Sequence, residues 1–491
     1  MSLADYEPVI GLEVHVQLLT RTKMFCACEN RFGAEPNTLT CPVCLGLPGS
    51  LPVLNDAAVE LGVRAALATG ARVADRSVFS RKQYFYPDLP KGYQISQYDR
   101  PLSKDGRLGI DMPQGRREIG IERLHLEEDA GKLIHEGDGP AGASPTRVDL
   151  NRAGVPLLEI VSRPDLRSSA EAFAYLTALK HLMKYAGVSD CEMQEGSLRC
   201  DVNVSIRRRG TEPFGTRSEV KNLNSFRGAE RAIEHEIGRQ AAVLDAGGTL
   251  RQETRSWDPD RERTDLMRVK EGASDYRYFP EPDLPPLDVG AARIEAVRAR
   301  MPEFPEARGR RFIEAMGLSP YDARILTAEK GTADFFEKAA SLAVREGVKA
   351  PHKTVANWII GPLTEAAREM KIEGGRGRLE AEPFVRLIAK VQGGTVTQTT
   401  GKELLRRAME TGEDLLEAIR SGGLARIDDA DAIEAVVRDV LAKNPKAIED
   451  YRAGKGNAIT FLVGQVMKAT KGKANAQAAR GALESILKGA S

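Results

Sequence analysis

Glu13 and His15 stand two residues apart in the run Val9–Leu18, read V-I-G-L-E-V-H-V-Q-L. A carboxylate and an imidazole on one side of an extended chain can ligate one metal ion or handle one proton. Alternation defines the side. Leu12, Val14, Val16 and Leu18 fall on one face and Glu13, His15 and Gln17 on the other, the period of a half-buried β-strand. A strand whose outer face is merely wet would read the same way, so the rest of the chain has to decide.

Four further segments bear on it. Arg199, Asp201, Asn203 and Ser205 share one face, with Val202, Val204 and Ile206 opposite. Arg217, Glu219 and Lys221 share another and lead into Asn222 and Asn224. His125 is followed by Glu127, Glu128 and Asp129, so that strand ends in acids; alternation does not choose between Glu127 and Glu128. Glu159 interrupts the apolar run Val155–Val161, where a carboxylate is costly unless it meets a cation. Strands that each present acids interleaved with Arg, Lys and Asn read as one composite pocket. Oxygen ligands with one His favour Mg²⁺ or Mn²⁺ over zinc. The basic and amide side chains suit phosphate oxygens and a developing carboxyl-derived anion. The chemistry expected is phosphoryl transfer from a nucleotide. No Gly-x-x-x-x-Gly-Lys-[Ser/Thr] loop and no protein-kinase signature is present, so the ATP site is of an unconventional kind. No Ser-Lys or Ser-His-Asp constellation is evident, which argues against a nucleophilic amidase.

Two other groups carry chemistry. Cys26 and Cys28 are separated by 12 residues from Cys41 and Cys44. Four thiolates in two close pairs suit a tetrahedral Zn²⁺ whose site is closed and therefore structural; free buried thiols or a redox pair are the alternative. Cys191 and Cys200 lack such spacing and read as small buried hydrophobes. At the other end, residues 451–491 hold seven Lys/Arg, among them Lys455, Lys468, Lys471 and Lys473, against one acid. Glycines flank several of them, which lets charge approach a phosphate backbone. A solvated helical tail is the competing reading. With no aromatics interleaved among Lys468, Lys471 and Lys473, backbone and shape recognition is expected rather than base stacking.

These residues must be positioned by a chain of 491 residues, too long for one core. Lys plus Arg (71) nearly equals Asp plus Glu (70), so any nucleic-acid surface is a local patch. No apolar run approaches a membrane span, and Met1–Pro8 resembles neither a secretory signal nor a transit peptide. The expected location is cytoplasmic and the thiols are expected reduced. Before about residue 285, strand candidates at Val9–Leu18, Glu118–Leu126, Arg199–Ile206 and Arg217–Leu223 mix irregularly with helical patterns at Asp56–Thr69, Ser168–Ala186 and Gly228–Ala246. This predicts α+β with a largely antiparallel sheet. A connector with four prolines, Phe279–Pro286, closes that part. Beyond it, Ile294–Met301, Glu306–Met316, Ser319–Thr327, Thr332–Arg345 and Lys353–Met370 show helical apolar spacing, and a further helical group starts near 400.

The chain resembles the B subunits of aspartyl/glutamyl-tRNA amidotransferases, GatB. The resemblance lies in Val9–Leu18, Q-Y-F-Y-P-D at Gln83–Asp88, K-G-Y-Q-I-S-Q at Lys91–Gln97 and H-L-E-E-D-A-G-K at His125–Lys132. It continues through Glu195–Ser205, Glu219–Phe226, Asp275–Leu284 and Phe461–Ala474, the last resembling a tail domain shared with stand-alone YqeY-type proteins. The resemblance implies a cradle domain at 1–290 that carries the cysteine loop at 26–44, a helical domain at 291–400 and a basic tail domain at 401–491. It implies ATP-dependent phosphorylation of the side-chain carboxylate of Glu-tRNA(Gln) or Asp-tRNA(Asn). Ammonia from an amidase-type A subunit, in a complex with a small C subunit, then forms the amide. Carried over to this sequence, the Mg²⁺ site falls on His15, Glu128 and Glu159, with Glu13 beside it. Asp201, Glu219, Lys221, Arg199, Asn203 and Asn222 are expected around the nucleotide or activated substrate. Lys455, Lys468, Lys471 and Lys473 are expected to meet tRNA. A non-catalytic tRNA-binding scaffold and a metal-dependent hydrolase active without ATP are the alternatives.

Overall fold

The computed structural model describes residues 5–134, 146–269, 276–372, 375–413, 415, 417, 430–452, 455, 457–470 and 474–489. The chain parts into two compact units, one up to Phe304 and one from Pro305. The first unit therefore reaches past the boundary expected at 290. The helix Ala291–Ala299 belongs to it, with Val297 buried in its core.

Among the described residues, the first unit is built on a nine-stranded sheet with Tyr6–Gln17 at its centre. On one side of that strand come Leu198–Arg208, Ser218–Lys221, Glu253–Asp258 and Arg263–Val269; on the other, Pro156–Ser162, Gly115–Glu128, Ser103–Met112 and Arg72–Val73. All pairings are antiparallel except that of Ser218–Lys221 with Glu253–Asp258. The α+β, largely antiparallel expectation is met.

Alternation along the central strand is the physical reason for its place. Leu12, Val14 and Val16 are fully buried and share a core with Leu158, Ile160, Leu198 and Val202 from its two neighbours. The helices Asp56–Ala68, Ser169–Tyr185 and Phe226–Asp245 supply Val59, Tyr175, Leu179 and Ile233 to the same core. Each begins on an Asn or Ser whose side chain accepts from a first-turn N–H, the capping that starts a helix where the periodic apolar pattern begins. With helices on one face, the opposite face keeps its polar residues. Over part of it lies a small sheet of Phe79–Gln83, Tyr93–Gln97 and Phe279–Pro280.

The second unit is helical, as its 3- and 4-residue spacing predicts. The stretch expected as one helix at Lys353–Met370 is broken. Pro351–Trp358 passes through a π-helical turn, Ile359–Leu363, into Thr364–Glu369. Pro362 sits inside that turn and has no N–H to donate. The expected division at 400 falls within the helix Gln398–Thr411, whose Leu404, Leu405 and Met409 share one core with Phe312 and Phe384. A separate apolar cluster includes Val437, Leu462, Val466 and Leu483.

A buried carboxylate ties the helix Phe226–Asp245 to the sheet edge. Glu236, fully buried, accepts from Arg239 Nε and Nη2 at 2.9 Å and lies 3.1 Å from Arg255 Nε. Burial opposes its ionisation, but Arg239 and Thr264 outweigh that and hold the carboxyl below its ordinary value. Glu236→Ala strands two guanidinium groups and is expected to lower the unfolding free energy by about 3–5 kcal/mol, read from urea denaturation. Because the folded value is depressed, the contribution is complete above the ordinary carboxylate range. It is lost as pH falls through the folded value, so the difference between variant and parent shrinks in acid.

Candidate active site

The register of the central strand assembles the polar residues. His15 lies opposite both Glu159 and Arg199; Glu159 in turn lies opposite His125, and Glu13 opposite Asp201. Asn203 lies opposite Glu219. Opposed residues of antiparallel strands point to the same side, so these form rows across one face.

Two groups of ligand-type side chains result. In the first, His15 Nε2 is 3.3 Å from Glu159 Oε2 and 3.6 Å from Glu127 Oε1. His125 Nε2 is 3.2 Å from Glu159 Oε2 and 3.6 Å from Glu127 Oε2. Ser96 Oγ donates to Glu127 Oε2 at 3.0 Å. In the second, Lys221 Nζ is bound to Asp201 and lies 3.1 Å from Glu219 Oε1. Asn203 Nδ2 donates to Glu13 Oε1 at 3.0 Å, and Thr254 Oγ1 to Glu219 Oε2 at 3.0 Å. Within each of the triads His15–Glu127–Glu159 and Glu13–Asp201–Glu219, one ligand atom per residue falls within 4.8 Å of the others.

The electrostatics record an excess of negative charge. Burial works against a charged imidazole at His125, yet Glu159 and Glu127 overcome it and raise its pKa to about 9. His15 moves up against the same burial, driven by Glu159. Burial also opposes ionisation of Glu159, but His125 and His15 hold it well below the carboxylate range. Among the described residues, no cation is paired with Glu13. Burial and then Glu159, Asp201 and Glu219 push its carboxyl up. Oxygen donors with an imidazole, in a site this hungry for positive charge, fit a hard divalent cation such as Mg²⁺.

His15 and Glu159 of the first triad and all three residues of the second line one cavity of about 370 Å³, with Glu127 buried behind them. The small sheet and the segment leading into its last strand contribute Lys82, Ser96, Tyr98, Tyr276 and Tyr278 to its lining. Tyr98 and Tyr278 stack with centroids 4.1 Å apart. Lys82 Nζ lies 5.0 Å from the Tyr276 ring centroid and 5.9 Å from that of Tyr84.

Of the residues expected from sequence, Glu13, His15, Glu159, Asp201, Asn203, Glu219 and Lys221 line this cavity together. Arg199 shares the face, but its guanidinium is bound to Asp129 Oδ2 at 2.8 Å. Two expectations are corrected. Glu128 does not join His15 and Glu159: successive side chains of a strand alternate, and Glu127 takes that position. Glu128 faces the other way, where it pairs with Lys91 and accepts from Ile95 N at 2.9 Å. Asn222 also leaves the cavity. Its backbone turns left-handed (φ 64°) at the strand end, and its Nδ2 donates to Trp257 O at 3.1 Å.

Sequence reading passed over His125, Lys82 and the tyrosines. The alternation of His125 with Glu127 was a signal for the first, and Tyr276 with Tyr278 for the last. Cys26, Cys28, Cys41 and Cys44 do converge, with sulfurs within 4.8 Å of one another. Cys44 is the acidic thiol: Cys26 donates to it, and the buried Lys23 ammonium lies 3.7 Å away. Cys191 and Cys200 are buried, as expected of small hydrophobes. In the second unit Lys455 and Lys468 are exposed; Lys471 and Lys473 lie outside the described residues. Among the described residues, no helix is long and apolar enough to cross a membrane.

The chain is similar to known proteins over nearly all of its length. The family model of the GatB/GatE catalytic domain matches residues 8–295, and that of the GatB domain matches 334–487. Curated relatives include the aspartyl/glutamyl-tRNA(Asn/Gln) amidotransferase B subunits of Moorella thermoacetica, 51% identical over 96% of this chain and 97% of that protein, and Myxococcus xanthus, 52% identical over 97% of each. The corresponding protein of Persephonella marina is 48% identical over 99% of this chain and 100% of its own length.

The opposite orientations of two adjacent glutamates make a stability test. Glu128→Ala leaves Lys91, almost wholly buried, without its counter-charge. It is expected to cost about 3–5 kcal/mol in thermal unfolding. Glu127→Gln keeps an acceptor for Ser96 and is expected to cost less.

Proposed function

The chain belongs to the GatB family of proteins from tRNA-dependent amidotransferases, and from that premise we propose that its cavity converts the side-chain carboxylate of Glu-tRNA(Gln), Asp-tRNA(Asn) or both into an amide. A free carboxylate is a poor acyl donor. One of its oxygens attacks the γ-phosphorus of ATP, the bond from phosphorus to the β,γ-bridging oxygen breaks, and ADP leaves. Ammonia then attacks the acyl carbon, the bond to the phosphate oxygen breaks, and phosphate departs as the nitrogen gives up a proton. The ammonia comes from glutamine on an amidase-type A subunit, and the complex is completed by a small C subunit.

The observation that carries this reading is the pair of carboxylate-rich triads built around His15 and Glu13 of the central strand, with His15, Glu159, Glu13, Asp201 and Glu219 lining one cavity. His15, Glu127 and Glu159 would hold one Mg²⁺, and Glu13, Asp201 and Glu219 a second position. Mg²⁺ there supplies positive charge to phosphate oxygens. Lys221 keeps the second triad from carrying its full charge, and Asn203 orients Glu13. Arg199, bound to Asp129, fixes the wall beside His15. Lys455 and Lys468, exposed in the second unit, would meet the tRNA backbone together with Lys471 and Lys473. Four converging thiols with no open position fit a Zn²⁺ that staples the 26–44 loop.

Two measurements test this. With the A and C subunits, ATP, Mg²⁺, glutamine and mischarged tRNA, the full chain is expected to convert esterified Glu to Gln or Asp to Asn. Glu127→Gln is expected to lower that turnover by about 10²–10³-fold while tRNA affinity stays within twofold. Normal turnover in Glu127→Gln would remove the residue from the reaction, and tRNA binding without any conversion would leave a scaffold. Separately, the purified chain should carry one zinc per molecule, and Cys44→Ser should lose it and melt earlier.

A further inference from the structure

The proposed reaction leaves several cations of the cavity unused, Arg123, Arg217, Arg268 and Lys82, and of these Lys82 is the ammonium set beside the triad of His15. Lys82 sits on the strand Phe79–Gln83, half-buried, and lines the cavity beside His15 and Glu159. Its ammonium lies against the rings of Tyr276 and Tyr84 at 5.0 and 5.9 Å. No carboxylate among the described residues comes within 4.0 Å of it, the distance at which the other ammonium of the cavity, on Lys221, meets its partners. The nearest acids in the field are Glu127 and Glu159, and both are turned to His15 and His125.

That arrangement is unusual for a lysine. A carboxylate partner cancels the charge of an ammonium. A tyrosine face attracts it through the ring quadrupole and carries no net charge, so the full positive charge remains. Burial disfavours that cation, and the field of Glu127 and Glu159 more than offsets the cost, yet neither carboxylate is bound to it, so the ammonium stays charged and open to an arriving anion. Anions do arrive under the proposed reaction: the γ-phosphoryl group, then the acyl phosphate, then phosphate.

Resting on that reading, we propose that Lys82 is a catalytic residue, the protein's own cation for the phosphoryl group in transfer. Its ammonium approaches from the small sheet, opposite the sheet face that carries His15, Glu127 and Glu159. It changes no bond. It stabilises the charge that spreads over the equatorial phosphoryl oxygens, which the carboxylates of the cavity would otherwise repel. Lys221, neutralised by Asp201 and Glu219, cannot take this part.

The test uses the full chain assembled into its complex and follows ADP formation that depends on mischarged tRNA. Lys82→Met is expected to lower kcat for that step by about 10²–10³-fold, the usual loss when one preorganised charge-stabilising group is removed. Lys82→Arg should recover a tenfold part of it or more. Melting temperature, tRNA affinity and glutaminase activity should stay at parental values. Parental kcat in Lys82→Met overturns the assignment. So does an equal loss in Lys82→Arg and Lys82→Met, or a loss matched by a fall in melting temperature, because either makes the side chain structural. If the parent itself forms no ADP with mischarged tRNA, the transamidation reading fails first, and the role of Lys82 falls with it.

Discussion

Negative charge gathered on one face of the central sheet is the constraint around which the first unit is organised. Glu13, Glu127, Glu159, Asp201 and Glu219 cannot share so small a space bare. Each carboxylate is answered differently. Two imidazoles straddle Glu127 and Glu159, Lys221 bridges Asp201 and Glu219, and Glu13 is met by the amide of Asn203. The imidazoles hold protons they would not keep elsewhere, and the Glu13 carboxyl is pushed up. A site that draws protons in this way exchanges them readily for divalent cations, because the same carboxylate oxygens serve both.

The sheet makes this crowding possible. Leu12, Val14 and Val16 lock one face of the strand into the core, and a strand cannot slip by one residue without burying Glu13 and His15 instead. Neighbouring strands obey the same rule, so five carboxylates are held by packing beneath them rather than by contacts among themselves. A site built on rigid strands keeps its geometry when its charge changes.

How far the sequence could be read follows from that rule. Where alternation is clean, as at Leu12–Leu18 and Val202–Ile206, both the strand and the side its polar residues face were legible. Where it is broken, the reading failed. Ile119 and Ile121 are buried in the core, and the same phase carried forward would bury His125 and Glu127 beside them. A bulge intervenes: Ser162 pairs with Ile121 but Val161 with Arg123, so Glu122 is the extra residue. Beyond it Leu124 and Leu126 take over the core face and His125 and Glu127 turn to the cavity. A motif fixes which residues occur together but not the phase of the strand that bears them, which is how Glu128 came to stand for Glu127. Lys82 and the tyrosines were hidden for another reason. They arrive through the small sheet, whose pairing of Phe279–Pro280 with Phe79–Gln83 spans some two hundred residues of chain, so no local pattern brings Tyr276 and Tyr278 to Lys82.

The bulge has a consequence beyond the cavity. Because Glu127 and Glu128 are neighbours on one strand, a single peptide anchors two different environments. On one side lies the open triad with His15 and Glu159. On the other Glu128, Lys91 and Gly154 border Cys26 and Cys44. The two differ in what they can do. Four thiolates complete a tetrahedron and leave no position for a substrate, so a metal there can only fix the loop. Three ligands from His15, Glu127 and Glu159 would leave about half of the octahedral sphere of Mg²⁺ for other oxygen donors such as phosphate. The chemistry therefore belongs on the carboxylate side of the strand, and the rigidity on the thiol side.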